Sequence, residues 1–332
     1  MRRAVAIAVI VVLGFAGGVA TWLWASLVRP ATRDDVEVVI APGTSAQSVL
    51  RELESVGVLP SVVAGRVYLA GWARGRSFHY GRFLVPAGSH PYHALERILD
   101  GRVETLEVTI VEGSSAEEIG ALMSDRGFGD VETWRRLVAD PTRIADLAPG
   151  APSLEGFLFP DTYRFAIGTS PPVVVEHLLD RFRTVWREVR DEGPEPWGST
   201  LEVVTLASLV EAETSLPGER PRVAGVFINR LRRGMLLQCD PTVAYALKRQ
   251  GTWPGRLLRL HWQLDDPYNT YRYPGLPPGP ICSPGRAALA SAMAPEDHDL
   301  LYFVARPGGG HSFSKTLREH NQAVARLLRS RR

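Results

Sequence analysis

The 332-residue sequence is poor in cysteine and lysine: it has two cysteines, and its only lysines are Lys248 and Lys315. Neither Cys239 nor Cys282 belongs to a CxxC pair, and no Cys/His group has structural-zinc spacing, which argues against a redox motif or a zinc finger. No GxGxxG or phosphate-cradling glycine loop opens a helix, so a nucleotide-binding fold has no support. A formal charge of +2 leaves no concentrated basic stripe interleaved with aromatics, which argues against nucleic acid as a partner. Arg326, Arg329, Arg331 and Arg332 read as a small solvated tail. The length suits about two domains at roughly 150 residues each, too long for a miniprotein.

One long hydrophobic run is present. Residues 4–28 carry no charge, enough to cross the roughly 30 Å hydrocarbon core as a helix. Arg2 and Arg3 precede it, and Trp22 and Trp24 sit near its far end. Beyond it, Arg29 and Arg33 are offset by Asp34, Asp35 and Glu37. The positive-inside bias therefore predicts a cytoplasmic N-terminus and an extracytoplasmic remainder, periplasmic or otherwise. The competing reading is a cleaved signal peptide. It fits less well, because the run is long and ends in Trp22, Leu23, Trp24 and Leu27 rather than a small-x-small site.

The exported part contains an internal repeat. Residues 37–58, EVVIAPGTSAQSVLRELESVGV, align with residues 107–128, EVTIVEGSSAEEIGALMSDRGF. Each copy predicts a short strand, a glycine turn, a Ser or Thr cap and an amphipathic helix, with Val49, Leu53 and Val56 matching Ile119, Leu122 and Met123 as core. Residues 81–99 and 156–179 also rhyme as aromatic strand, turn and helix. The expected class is α+β: a membrane helix over 1–29, a small βααβ-type module over 36–104, and a larger mixed domain over 105–332 whose start at 105–155 repeats the β-turn-α unit.

Further along, a helix is predicted over 173–190, and Ser199 with Glu202 forms a capping box that opens the next one. On that next helix Val203, Leu206, Ala207 and Val210 make an apolar stripe, with Glu211 at its edge. A helix follows over 221–233, then one opened by Asp240 as cap with Pro241 at its first position. Residues 251–285, rich in proline, glycine and aromatics, suggest a structured loop wall. The tail reads as strand, glycine turn, HSFS and a closing helix.

Glu211 has two physical readings. It is either an ordinary ion-pairing glutamate or a carboxyl whose partial desolvation by Leu206, Leu209 and Val210 lets it hold a proton for a glycosidic oxygen. The loop residues Tyr268, Asn269, Tyr271 and Tyr273 supply rings and amides suited to sugars. A two-carboxylate glycosidase would need a partner, for which Glu155, Asp161, Glu213 and Asp240 are all available. Residue types alone leave the choice open.

Seven ordered motifs narrow it: LEGFLFPDTY at 154–163, LASLVEAET at 206–214, VAGVFINRL at 223–231, MLLQCDPTVAYAL at 235–247, YNTY at 268–271, GLPPGPICSPG at 275–285 and LYFVARPGGGHSFSKTLREHN at 301–321. With these the chain resembles the membrane-anchored endolytic murein transglycosylases, the YceG-like family, over nearly its whole length. The resemblance implies a LysM-like module at 36–104 and a catalytic domain beyond it. It implies a peptidoglycan lyase that cuts the MurNAc-β-1,4-GlcNAc bond of nascent glycan strands and leaves 1,6-anhydro ends, thereby setting strand length. Glu211 falls on the family's catalytic glutamate, first general acid and then general base.

Supporting positions implied by the motifs are Glu213, Asn229, Gln238, Asp240, Tyr268, Asn269 and Tyr271, with Glu155 a groove candidate; the alternatives are that Asp240 is only a helix cap and that Asn229 only satisfies buried backbone. No metal or cofactor is implied. The implied partners are peptidoglycan strands, with penicillin-binding proteins and other elongation or division machinery as candidates. Cys239 and Cys282 depart from the family pattern and either form one disulfide or remain thiols. The rivals are a hydrolase that uses water on the same substrate and a non-enzymatic glycan-binding scaffold.

Overall fold

The computed structural model describes residues 2–30 and 32–330, with side chains from Ile10 through Arg329 apart from residue 31. The side chains of Arg2 and Arg3, and Arg331 and Arg332 altogether, lie outside the described residues. The fold is a mixture of helices and short strands divided into two compact units.

The first unit runs through Glu107 and includes Arg164–Thr169. It opens with α1 (Arg2–Val28), in which Ile10–Val28 is long and apolar enough to cross a bilayer. Strand β1 (Val36–Ile40), α2 (Ala46–Ser55), α3 (Val62–Gly71), β2 (Gly81–Val85) and α4 (Pro91–Leu99) follow. Ser45 and Ser61 cap α2 and α3 by accepting backbone N–H bonds, because the first turn of each helix has no internal partner for them. β1 pairs antiparallel with β2, Val38 opposite Phe83. Val38 and Phe83 bury with Leu50, Leu53, Leu95 and Ile98, and Leu27 from the end of α1 joins this core.

The second unit comprises Val108–Tyr163 and Ser170 onward. The division falls within β3 (Thr105–Thr109) and β4 (Thr162–Ala166). Between these strands lie α5 (Ala116–Asp125) and α6 (Val131–Ala139), and α7 (Pro171–Glu192) follows β4. Then come α8 (Thr200–Glu213), α9 (Arg220–Arg232), α10 (Asp240–Arg249), α11 (Arg286–Met293), the hairpin β5 (Tyr302–Ala305) with β6 (His311–Ser314), and α12 (Leu317–Ser330).

Both repeat copies form strand and helix. In the second, Ser115 and Glu118 close a capping box, and Ile119 and Met123 are buried. The predicted box at Ser199 and Glu202 forms too: each residue's side chain accepts the other's backbone N–H, at 3.3 and 2.7 Å. The rhyme between 81–99 and 156–179 also holds: β2 and α4 in the first are matched by β4, a turn at Gly168 and the start of α7 in the second, while residues 154–160 before β4 are an irregular buried segment.

Helix α8 differs from the amphipathic expectation, since every residue from Val203 through Val210 is buried. α7, α9, α10 and α11 surround it or its neighbours, and a helix apolar on all sides belongs in the middle of such a core. Its polar residues are satisfied internally: Thr205 donates to the Leu201 carbonyl, and Ser208 donates to the Thr205 carbonyl. Glu211 stands where this core helix emerges.

Candidate active site

The Glu211 side chain is only 6% exposed, and both of its oxygens are engaged. Oε1 accepts from Arg220 Nη2 at 2.8 Å, and Oε2 accepts from the Gly285 backbone N–H at 3.0 Å. Burial drives the carboxyl above the usual glutamate range, opposed by the Gly285 N–H and the Arg220 charge and assisted by Glu112. Arg220 is itself 8% exposed, and its Nη2 also lies 3.7 Å from Glu112.

The peptide N–H that Glu211 receives comes from a loop held at several points. Ser208 accepts the Ile281 N–H at 3.1 Å, Gly113 donates to the Ser283 carbonyl at 2.9 Å, and Ser283 donates to the Ser114 carbonyl at 2.8 Å. The turn at 111–115 and the loop at 281–285 are therefore laced together beside the carboxyl. Gly285 caps α11, and a Cβ there would overlap the Glu112 side chain, so glycine is what permits this approach.

A groove adjoins the helix end. A cavity of about 370 Å³, bordered by Gly113, Ala212, Asp240, Trp253 and Cys282, shares Ser115, Tyr245 and Lys248 with a second of about 520 Å³. Glu155 lines the second cavity. It is 4% exposed and accepts the Ala116 N–H at 3.0 Å, with Tyr245 as a further partner. Burial pushes its carboxyl up to about 8, against the pull of those hydrogen bonds.

A raised carboxyl makes a definite stability prediction. Glu155 is neutral in the folded chain up to about pH 8 but ionises near the ordinary carboxylate value once unfolded. The wild type therefore loses stability as pH rises across that window, by at most about 1.4 kcal/mol per unit. Glu155→Gln, which cannot ionise, is expected to raise the melting temperature relative to wild type by much more at pH 8 than at pH 5. Equal differences at both pH values in thermal unfolding would contradict this.

Glu213, Cys239, Asp240 and Tyr271 form a second cluster at the end of α8. Burial pushes the Glu213 carboxyl up, and its partner is the Cys239 thiol. Asp240 is the first residue of α10 rather than its cap, a position taken by Cys239. Its Oδ1 instead accepts from Tyr271 Oη at 2.6 Å and Trp262 Nε1 at 3.2 Å, with the two rings stacked at 5.2 Å. Gln238, exposed, holds a left-handed φ of 49°.

Three of the implied supporting residues are engaged within the protein. Asn229 spends its amide on the His298 and Leu300 carbonyls at 2.5 and 3.1 Å, tying α9 to the segment before β5. Asn269 is fully buried and donates to the Trp262 and Leu264 carbonyls, while its own oxygen accepts the Tyr271 N–H. Tyr268 is buried against Tyr245, with the Arg249 guanidinium 4.9 Å over its ring. These two hold the loop wall from within. Of the four carboxylates considered as partners for Glu211, none shares Arg220 with it; Glu112 does.

The disulfide between Cys239 and Cys282 is not formed. Both are buried free thiols, and each faces its own partners: Cys239 the Glu213 carboxyl, and Cys282 the Ser208 carbonyl at 3.4 Å. Burial and adjacent carboxylates push both thiols well above their ordinary range and keep them protonated. His311 is likewise engaged, with its ring and backbone N–H on Glu219 at 2.8 and 2.9 Å.

Two residues escaped the sequence reading, Glu112 and Arg220. For Glu112 a signal existed: in the aligned repeat it stands where the first copy has Pro42, so only the second copy carries a carboxylate in that turn. Arg220 had none.

Comparison with known proteins places this arrangement in a family. The profile of the YceG-like family matches residues 38–326. The endolytic murein transglycosylase of Bacillus subtilis (strain 168) is 30% identical over 325 residues, spanning 92% of this chain and 89% of its own. That of Streptococcus pneumoniae serotype 2 (strain D39) is 27% identical, spanning 89% of this chain and 59% of its own. The crystal structure of a yceG-like protein from Listeria monocytogenes superposes with a TM-score of 0.59 at 27% identity, over 88% of this chain and 99% of that one.

Proposed function

The chain belongs to the YceG-like family of peptidoglycan lytic transglycosylases, and from that premise we propose that Glu211 carries its chemistry. The bond cut is MurNAc-β-1,4-GlcNAc, inside nascent strands, and the product is a 1,6-anhydro-MurNAc end. The observation that carries this reading is a nearly buried carboxyl at the end of a core helix, beside a groove, with burial favouring its protonated form.

Protonated Glu211 gives its proton to the glycosidic oxygen, and the bond to the MurNAc anomeric carbon breaks toward that oxygen. The carboxylate left behind takes the proton of the C6 hydroxyl, whose oxygen closes on the anomeric carbon. No water is consumed, and Glu211 ends as it began. One residue can serve both steps because each leaves it in the state the next requires. The Gly285 N–H and Arg220 fix the orientation of the carboxyl and stabilise its anionic form between the steps.

The element order β1-α2-α3-β2 supports reading residues 36–104 as a LysM-like module that presents glycan, with 105–332 as the catalytic domain. α1 is read as a single-pass anchor with a cytoplasmic N-terminus. Tethered in this way, the enzyme works on strands near the membrane and limits their length beside synthases such as penicillin-binding proteins.

Mass spectrometry of products from purified peptidoglycan tests the reading. Internal fragments with anhydromuramyl ends, absent with Glu211→Gln, are expected. Reducing ends would assign a hydrolase, and uncut glycan would leave only binding.

A further inference from the structure

A general acid beside a permanent cation poses a physical difficulty. Arg220 at 2.8 Å favours the ionised form of Glu211, whereas the proposed first step needs the proton in place. The geometry contains a counterweight. Arg220 does not clamp Glu211 in a two-pronged fork; it uses one nitrogen, Nη2, and its buried Nε makes no hydrogen bond. The same Nη2 faces Glu112 at 3.7 Å.

Glu112 is held there by its surroundings. Its turn is laced to the 281–285 loop through Gly113, Ser114 and Ser283, and its side chain occupies the space that a Cβ on Gly285 would fill. It therefore lies beside the residue whose N–H binds Glu211. Half-exposed at 49%, it also borders solvent, where a strand would arrive. The charged or titratable groups that face Glu211 are Arg220 at the start of α9, Glu112 after β3, and the Cys282 thiol, which stays neutral.

We propose that Glu112 is a positioning residue for Glu211, holding Arg220 between two carboxylates so that Glu211 can carry a proton beside a permanent cation. It acts through Arg220 and through its own negative field, and it needs no contact with substrate. The proposal rests on reading Glu211 as the acid and base of strand cleavage, but its central claim concerns the titration of one carboxyl and can be measured without turnover.

The test is a ¹³C-carboxyl NMR titration of the full chain labelled at glutamate, with the Glu211 signal assigned by its loss in Glu211→Gln. Glu112→Gln is expected to lower the Glu211 midpoint, by about one pH unit, because it removes a like charge and leaves Arg220 with Glu211 alone. Glu112→Asp, which keeps the charge, should stay within a few tenths of wild type. In strand-cleavage assays the alkaline limb of Glu112→Gln should move down by the same amount, a loss of up to about tenfold at high pH with activity retained at low pH. Glu112→Ser serves as the neutral variant should the glutamine form fail to fold.

An unchanged midpoint in the neutral variant would overturn the proposal, as would a loss of cleavage equal at every pH, which marks a structural role. A wild type that releases no anhydro ends would instead sink the lyase reading and leave the titration result standing by itself.

Discussion

Glu211→Gln is expected to lower release of anhydromuramyl fragments by about a thousandfold or more, while the chain remains folded at assay temperature. A positioned acid or base is worth about 10²–10⁴ in rate, and here one carboxyl is both. Glutamine keeps the length and one acceptor, so Arg220 or Gly285 can still be met, but it neither gives nor takes a proton. The substitution also removes the nearer of the two carboxyl groups beside the buried Arg220 and leaves it with Glu112 at 3.7 Å. Thermal stability should therefore drop, by less than the ~3–5 kcal/mol typical of breaking a fully ionised buried pair, because Glu112 remains and burial favours the protonated form of Glu211. Glu211→Asp separates chemistry from charge. It restores the anion but draws the carboxyl back by about one methylene, and a displacement near 1 Å can cost about a hundredfold. Cleavage by Glu211→Gln above about one per cent of wild type, with anhydro ends intact, would remove Glu211 from the centre of the reaction.

What the sequence made legible here is mostly local. The Ser199 and Glu202 box, the Ser115 cap and the helical spacing of Val49, Leu53, Ile119 and Met123 are rules of one or two turns, and the structure contains them all. What was illegible depends on partners distant in the chain. Asn229 reads equally as a sugar contact or as a partner for buried backbone, and only the carbonyls of His298 and Leu300, about 70 residues later, engage it in the second way. Asn269 and Tyr268 look like sugar-facing groups in a tyrosine-rich loop, yet the loop folds both inward, spending the Asn269 amide on its own carbonyls and packing the Tyr268 ring against Tyr245 of α10. Helix α8 shows a stripe in its pattern but is buried all round: Val204, Thr205, Ser208 and Leu209 on its other faces are buried as well, against neighbours that arrive from distant parts of the chain. Glu112 and Arg220 became visible only when three segments converged on one carboxyl.

That convergence depends on a glycine. Gly156→Ala is expected to destabilise the chain by about 3 kcal/mol and to depress cleavage further than the lost stability explains. Gly156 has φ of 84°, a conformation that costs an L-residue roughly 1–2 kcal/mol. A Cβ there would also overlap the Pro280 ring and come within 3.3 Å of Val204 Cγ1, and overpacking of this kind costs about 1–3 kcal/mol more. Val204 sits on the rigid core helix, so Pro280 is the side that gives way. Pro280 precedes Ile281, whose N–H is fixed to Ser208, and the same loop delivers the Gly285 N–H to Glu211. Strain at Gly156 thus propagates to the hydrogen bond that orients the carboxyl, and it acts next to Glu155 in the groove wall. Gly150→Ala is the control. Its φ of 85° carries the same backbone cost, but nothing lies within 4 Å of the added Cβ. It should lose about 1–2 kcal/mol in thermal unfolding and keep wild-type cleavage below its melting temperature. If both variants lose the same stability and the same activity, backbone strain alone accounts for Gly156, and the route through Pro280 to the carboxyl does not exist.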